Sequence, residues 1–260
     1  MRPHTPLSTT STPAVTASAD DERELRLLEC AIGYRILGAH GWGSTGDGHI
    51  SARDPERHGH FWMARYGVPF NLVTVRDLVL VGPTGDVVQA PGGLNTGINR
   101  AGFHIHSAVH DARPDVVSAC HTHTGYGTPL AARRQLIRPI SQESCAFFEC
   151  HVLFDDEELD VQSTEGGKRI SVALGSHRHA ILANHGLLST GGSVAEAVGW
   201  FVTMERVAEV QMKAGDDMRP ISDEGARQVA RTISHPMSGW AAFQWLARKH
   251  VPDLDSVLAG

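Results

Sequence analysis

A layered α/β fold is what this sequence predicts, on three observations. Segments with apolar residues at helical spacing alternate with short apolar runs bounded by glycine, proline and asparagine, the pattern of helices and strands stacked as layers around one core. No internal repeat interrupts that alternation, so 20–260 reads as a single continuous domain. The 260 residues, 41% hydrophobic and 20% charged, have the composition of an ordinary globular chain long enough to bury a sizeable core.

Residues 1–19 are rich in Ser, Thr, Pro and Ala and lack an apolar stretch, so they are expected to be a disordered tail rather than a signal peptide. From Asp21 to His40, Leu25, Leu28, Ile32 and Ile36 recur at helical spacing behind acids in the first turn. Gly41, Gly43, Gly46 and Gly48 end that helix and lead into an extended piece, His49 to Arg53. Strands are expected near Phe61 and at Leu78 to Val81, the second closed by a Gly82-Pro83-Thr84-Gly85 turn. A glycine-rich loop, Ala90 to Gly97, precedes Asn99, which suits the N-cap of a helix running to about Asp111. Val116 to His123 reads as a buried strand, Pro129 to Arg134 as a helix, and Ala180 to Ala183 as a strand ending at Asn184-His185-Gly186. Ser193 and Glu196 form a capping box that opens the longest expected helix, to about Lys213, and two weaker helices follow.

Several function classes drop out. A net charge of −6 gives no electrostatic footprint for nucleic acid or an anionic membrane. No run of eighteen apolar residues is present, so no segment is expected to span a bilayer. No GxGxxG or P-loop pattern is present in the glycine-rich loop. Cys30, Cys120, Cys145 and Cys150 form no CxxC pair, which reads as free thiols in a reducing cytoplasm. Sixteen histidines, by contrast, is a large number for the commonest metal-ligating side chain.

The strongest local signal is Cys120-His121-Thr122-His123 at the end of an apolar strand. Residues i and i+2 of a strand share a face, so His121 and His123 can present two imidazoles to one metal ion. A catalytic centre wants a third protein ligand and an open position. His185, also at the end of an apolar strand and followed by a glycine, is the best candidate.

The run Ala112–His123 (ARPDVVSACHTH), then Leu182–Leu188 (LANHGLL), resembles the class II aldolase/adducin family, and Gly48–Arg53 (GHISAR) is similar to that family's Gly-Asn-x-Ser motif. The resemblance spans roughly Leu25 to Lys213. It implies a three-layer α/β/α fold around a mainly antiparallel sheet and a homotetramer with active sites at subunit interfaces. It also implies a divalent metal held by three histidines, matching His121, His123 and His185 here. In the family's sugar-phosphate aldolases that metal acts as a Lewis acid while a carboxylate moves protons.

The departures narrow the chemistry. Phosphate-binding members carry Ser-Ser-Glu where this sequence has Arg100-Ala101-Gly102, so both phosphate-binding hydroxyls and the acid/base carboxylate are missing. The motif's asparagine is His49. An unphosphorylated substrate is therefore expected, with Arg100 clamping a carboxylate bidentately and Ser51, the motif's serine, beside it. His49 is expected in the pocket, as a catalytic residue that supplies a proton or lines it. Glu143, with Glu149 as a weaker choice, is the candidate replacement acid, and Tyr126 a candidate donor to an oxyanion. His106 and His110 stand at i, i+4 on one helix without the acid of an HExxH pattern, so supporting positions suit them better than a second metal site.

Three functions follow in order. The first is a metal-dependent lyase, aldolase or decarboxylase in type, acting on a small, unphosphorylated carboxylate or carbonyl substrate, with zinc suiting that chemistry. The second is a non-haem Fe(II) oxygenase acting on an aromatic 2-keto or 2-hydroxy acid, as in aminocoumarin-type biosynthesis, which tolerates the missing carboxylate. The third, a non-catalytic module of the adducin kind, leaves the histidine triad without a purpose.

Overall fold

A computed structural model describes residues 13–91, 93, 96–157 and 161–258. Most of the expected tail lies outside them. The first helix, α1 (Ala19–Ala39), is capped by Ser18, whose hydroxyl accepts the Asp21 N–H at 3.1 Å, with Asp20, Asp21 and Glu22 at the positive end of the helix dipole.

Eight strands form one sheet: β1 (Gly48–Arg53), β2 (Phe61–Ala64), β3 (Leu78–Val81), β4 (Val87–Gln89), β5 (Ser118–Thr122), β6 (His151–Phe154), β7 (His179–Leu182) and β8 (Gly186–Gly191). Their order is β4-β3-β2-β1-β5-β8-β7-β6. Every neighbouring pair is antiparallel except β6 with β7. Alternation along the central strands sends successive side chains to opposite layers. Ile50, Cys120, Ile181 and Leu187 pack under α1, α3 (Gly127–Ala132), α5 (Val194–Ala214) and α7 (Pro236–His250). Ala119, Ala180, Leu182 and Leu188 pack on the other side, against Ile105 and Val109 of α2 (Arg100–Ala112) and Ile170 and Leu174 of α4 (Thr164–Leu174). The architecture is the expected α/β/α sandwich.

Four elements were absent from the sequence expectation: β4, β6, α4 and β8. Gly186 does not end a strand but begins β8, which folds back on β7 with Leu182 opposite Gly186. Asn184 makes the reversal in a left-handed conformation, φ 55°, which asparagine tolerates. The helix opened by Ser193 is α5, with 21 residues no longer than α1. Its Glu196 accepts from the Gly192 N–H at 2.8 Å rather than closing on the N-cap residue. Three helices, not two, follow it: α6 (Asp223–Ile233), α7 and the short α8 (Asp255–Leu258).

Candidate metal centre and its cleft

The β1–β5–β8 neighbourhood brings the distant motifs together. His49 lies opposite His121 across β1 and β5, and His121 lies opposite Leu188 across β5 and β8. The β7–β8 turn places His185 over the end of β5. The ligating nitrogens of His121, His123 and His185 fall within 4.8 Å of one another. Gly186 permits this closeness, since a Cβ there would stand 3.0 Å from the Thr122 carbonyl oxygen and 3.4 Å from the rings of both His121 and His123.

The three imidazoles fit a divalent metal. His121 is buried, and its Nδ1–H donates to the Leu187 carbonyl at 2.8 Å, which fixes the tautomer and leaves the Nε2 lone pair for an ion. Burial and the neighbouring imidazoles hold His121 well below the usual histidine range, so it stays neutral as a ligand must. His123 is exposed and His185 half-buried, so one side of the triad faces solvent, the open position a catalytic centre needs.

A cleft of about 390 Å³ covers that side, walled by Asp47, His49, Tyr66, Arg100 and Gln162 besides the triad. Arg100 is the first residue of α2, after Asn99, whose side chain accepts the Gly102 N–H at 2.9 Å. The residue is exposed, and its guanidinium donates to the Gly85 carbonyl at 3.0 Å, leaving further N–H groups for a ligand. His49 lines the cleft with its ring, and its Nδ1 shares a 2.6 Å hydrogen bond with His106 Nε2. Burial, then the neighbouring His106, holds His49 well below its ordinary value. The acid/base position of the sugar-phosphate aldolases is filled in an unexpected way: a Cβ on Gly102 would stand 2.7 Å from Cγ and 2.9 Å from Nε2 of His49. The imidazole occupies the space into which a side chain at 102 would project.

Other expected site residues are placed elsewhere. Ser51 shares the His49 side of β1 but lies deeper, fully buried, with its hydroxyl 2.8 Å from His110 Nε2; it does not line the cleft. His106 and His110 thus take separate partners rather than a common ion. Glu143 is exposed on the 3-10 turn Glu143–Phe147, which packs on α6 and α5 ahead of β6, the strand at the edge of the sheet. Within one chain it is not brought to the cleft. Glu149 is committed at the surface to Arg227 at 2.7 Å. Tyr126 precedes α3, with Lys213 5.3 Å from its ring centroid, and does not line the cleft.

Sequence reasoning missed Asp47, Tyr66 and Gln162 as cleft residues, and Glu205 beneath it. The acid directly ahead of Gly48-His49 was an available signal for Asp47. Glu205 is a buried acid of α5, 6% exposed. It accepts from Thr124 Oγ1 at 2.5 Å, from the Tyr126 N–H at 2.9 Å and from the Gly127 N–H at 2.7 Å. It thereby anchors the loop that leaves His123 to the helix layer.

Comparison with known proteins agrees with this geometry. The family description "Class II Aldolase and Adducin N-terminal domain" matches residues 29–212. A 4-hydroxy-3-prenylphenylpyruvate oxygenase/4-hydroxy-3-prenylbenzoate synthase of Streptomyces roseochromogenus subsp. oscitans is 32% identical over 235 residues, 89% of this chain and 84% of that one. Decarboxylase NovR of Streptomyces niveus is 33% identical over 248 residues, covering 93% and 91%. The solved structure of L-fuculose 1-phosphate aldolase from Glaciozyma antarctica PI12 superposes with a TM-score of 0.84 at 33% identity, over 92% of this chain and 93% of that one. By family match, fold and relatives above 30% identity, this chain belongs to the class II aldolase and adducin family.

Proposed function

We propose that the chain is a metal-dependent carbon–carbon lyase, decarboxylase or aldolase in type, acting on a small unphosphorylated carboxylate. The observation that carries this reading is the three-histidine cluster opening onto a cleft with Arg100 at its rim and no side chain at Gly102. His121, His123 and His185 would hold a divalent cation, which supplies Lewis-acid stabilisation of negative charge on a substrate oxygen, or dioxygen chemistry if the ion is ferrous. Arg100 binds the substrate carboxylate through a planar fork of N–H groups. Tyr66 flanks the cleft with an exposed ring against which an apolar or aromatic part of the substrate packs. The homotetramer implied by family resemblance belongs to the same proposal, with neighbouring subunits completing the cleft rim.

A relative named as an oxygenase at 32% identity favours a second reading, oxidative shortening of an aromatic 2-keto or 2-hydroxy acid. Metal analysis of anaerobically purified protein, followed by turnover of phenylpyruvate-type and hydroxy-acid substrates with and without dioxygen, tests both. Anaerobic product with zinc supports the lyase. Product dependent on Fe(II) and dioxygen supports the oxygenase, and no bound metal refutes both.

A further inference from the structure

A buried pair behind the cleft sets what His49 can do. His106 is fully buried, and its Nε2 shares the 2.6 Å bond with His49 Nδ1, while its own Nδ1 has no partner among the described residues. Two arrangements satisfy that bond. If His49 donates, the buried Nδ1 of His106 carries a proton with no acceptor. If His106 donates, that Nδ1 carries only an unpaired lone pair. Buried N–H groups without an acceptor are the rarer defect, so the second arrangement holds. The proton on His49 then sits on Nε2, at the ring edge beside Gly102. An imidazole with Nε2 protonated and Nδ1 engaged has no lone pair left to offer a metal.

Resting on the metal-centre reading above, we infer that His106 and Gly102 are positioning residues that lock His49 as a neutral hydrogen-bond donor. It is aimed at an anionic oxygen of the substrate and is not a fourth metal ligand. Gly102 provides the room: its missing side chain lets the ring lie where it does, and any Cβ would displace it. His106 provides the orientation by donating to Nδ1. The place of a proton-moving carboxylate is thereby given to a fixed donor, which stabilises developing negative charge without transferring a proton.

The test uses the zinc-loaded full chain with oxalate, a planar dianion that mimics an enediolate, followed by calorimetry, with zinc affinity measured separately by chelator competition. His49→Phe, His106→Leu and Gly102→Ala are each expected to keep one zinc per chain at unchanged affinity. Each should weaken oxalate binding by about tenfold to a hundredfold, the worth of one hydrogen bond to a charged group. His106→Gln, which keeps an N–H at similar reach, should recover most of that loss, a rescue that a space-filling role would not give. Unchanged oxalate affinity in His106→Leu and Gly102→Ala overturns the inference, as does loss of zinc on His49→Phe. A parent chain that takes up no zinc refutes the metal reading and takes this inference with it.

Discussion

Replacing Glu205 by alanine isolates the support beneath the loop that leaves His123. In the folded chain its carboxylate, 6% exposed, is the acceptor for the Tyr126 and Gly127 N–H groups and the Thr124 hydroxyl. The hydroxyl can rotate to another partner, and it already accepts from the Gly127 N–H at 3.2 Å. The two amides at the start of α3 lose their strongest acceptor. At roughly 1–3 kcal/mol for the Tyr126 N–H left unsatisfied, and less for the Gly127 N–H, which keeps Thr124 Oγ1, Glu205→Ala should destabilise by about 2–4 kcal/mol. In a chain of this size that lowers the melting temperature by roughly 4–16 °C. Glu205→Gln, which keeps one acceptor oxygen but loses the charge, should cost about half as much. Urea denaturation of metal-free protein measures both, and zinc affinity should also fall because the loop carrying His123 is released. Unfolding of Glu205→Ala within 1 kcal/mol of the parent would refute the claim that this carboxylate holds the loop.

Three further outcomes follow. His121→Ala and His185→Ala should each abolish stoichiometric metal in elemental analysis while leaving the circular dichroism spectrum unchanged, since each side chain closes the triad rather than the core. Gly199→Ala should loosen the α5–α7 contact, because a Cβ there would overlap the Gly239 carbonyl, standing 2.8 Å from its carbon. Overpacking of this kind costs about 1–3 kcal/mol or more, read as a lower denaturation midpoint. Burial, partly offset by the Ala195 N–H at 3.2 Å, raises the Glu29 carboxyl from 4.5 to about 7. The folded state therefore binds more protons than the unfolded one between those values, and stability should fall by roughly 3 kcal/mol as pH rises from 4.5 to 7. A Glu29→Gln variant with the same pH slope as the parent would contradict that assignment.

The parts legible in the sequence were those whose signal is local. Helix α1 announces itself through periodicity and first-turn acids, α2 and α5 through Asn and Ser caps, and β3 and β5 through apolar runs between turn residues. The triad was legible because two histidines at i, i+2 on one strand need only one more, and His185 shares their strand-end context. What escaped was set by pairing. Residues Gly186–Gly191 contain two glycines, a serine and a threonine, a weak strand signal, and become β8 because β5 and β7 flank them on both sides. Within one chain, the positions of Ser51 and Glu143 relative to the cleft were likewise not legible. The i, i+2 rule gives Ser51 the face of His49 but not its depth, and sequence order cannot say that Glu143 precedes the edge strand β6 rather than a central one. The His49–Gly102 exchange likewise shows only when β1 and α2 lie against each other.

That exchange bears on which bond-breaking step the cleft can support. Retro-aldol cleavage begins by removing a hydroxyl proton and so requires a base at the start, whereas loss of carbon dioxide from a carboxylate requires no base, only a proton donor once the carbanion has formed. Asp47 is the one carboxylate among the described cleft residues, and its Oδ1 already accepts the Thr45 hydroxyl at 2.5 Å and the Thr45 N–H at 3.2 Å. His49 is tied to His106. Within the function proposed above, these residues favour decarboxylation over retro-aldol cleavage: a cation held by the three histidines would supply charge stabilisation, the His49 donor would add to it, and the final proton would come from water through the open mouth of the cleft. Turnover in D2O should then place one deuterium on the carbon that lost carbon dioxide, in a ratio matching the solvent. Product that keeps protium at that carbon would mean that a non-exchanging hydrogen of the substrate itself moves there, and protonation of a carbanion from solvent would be refuted.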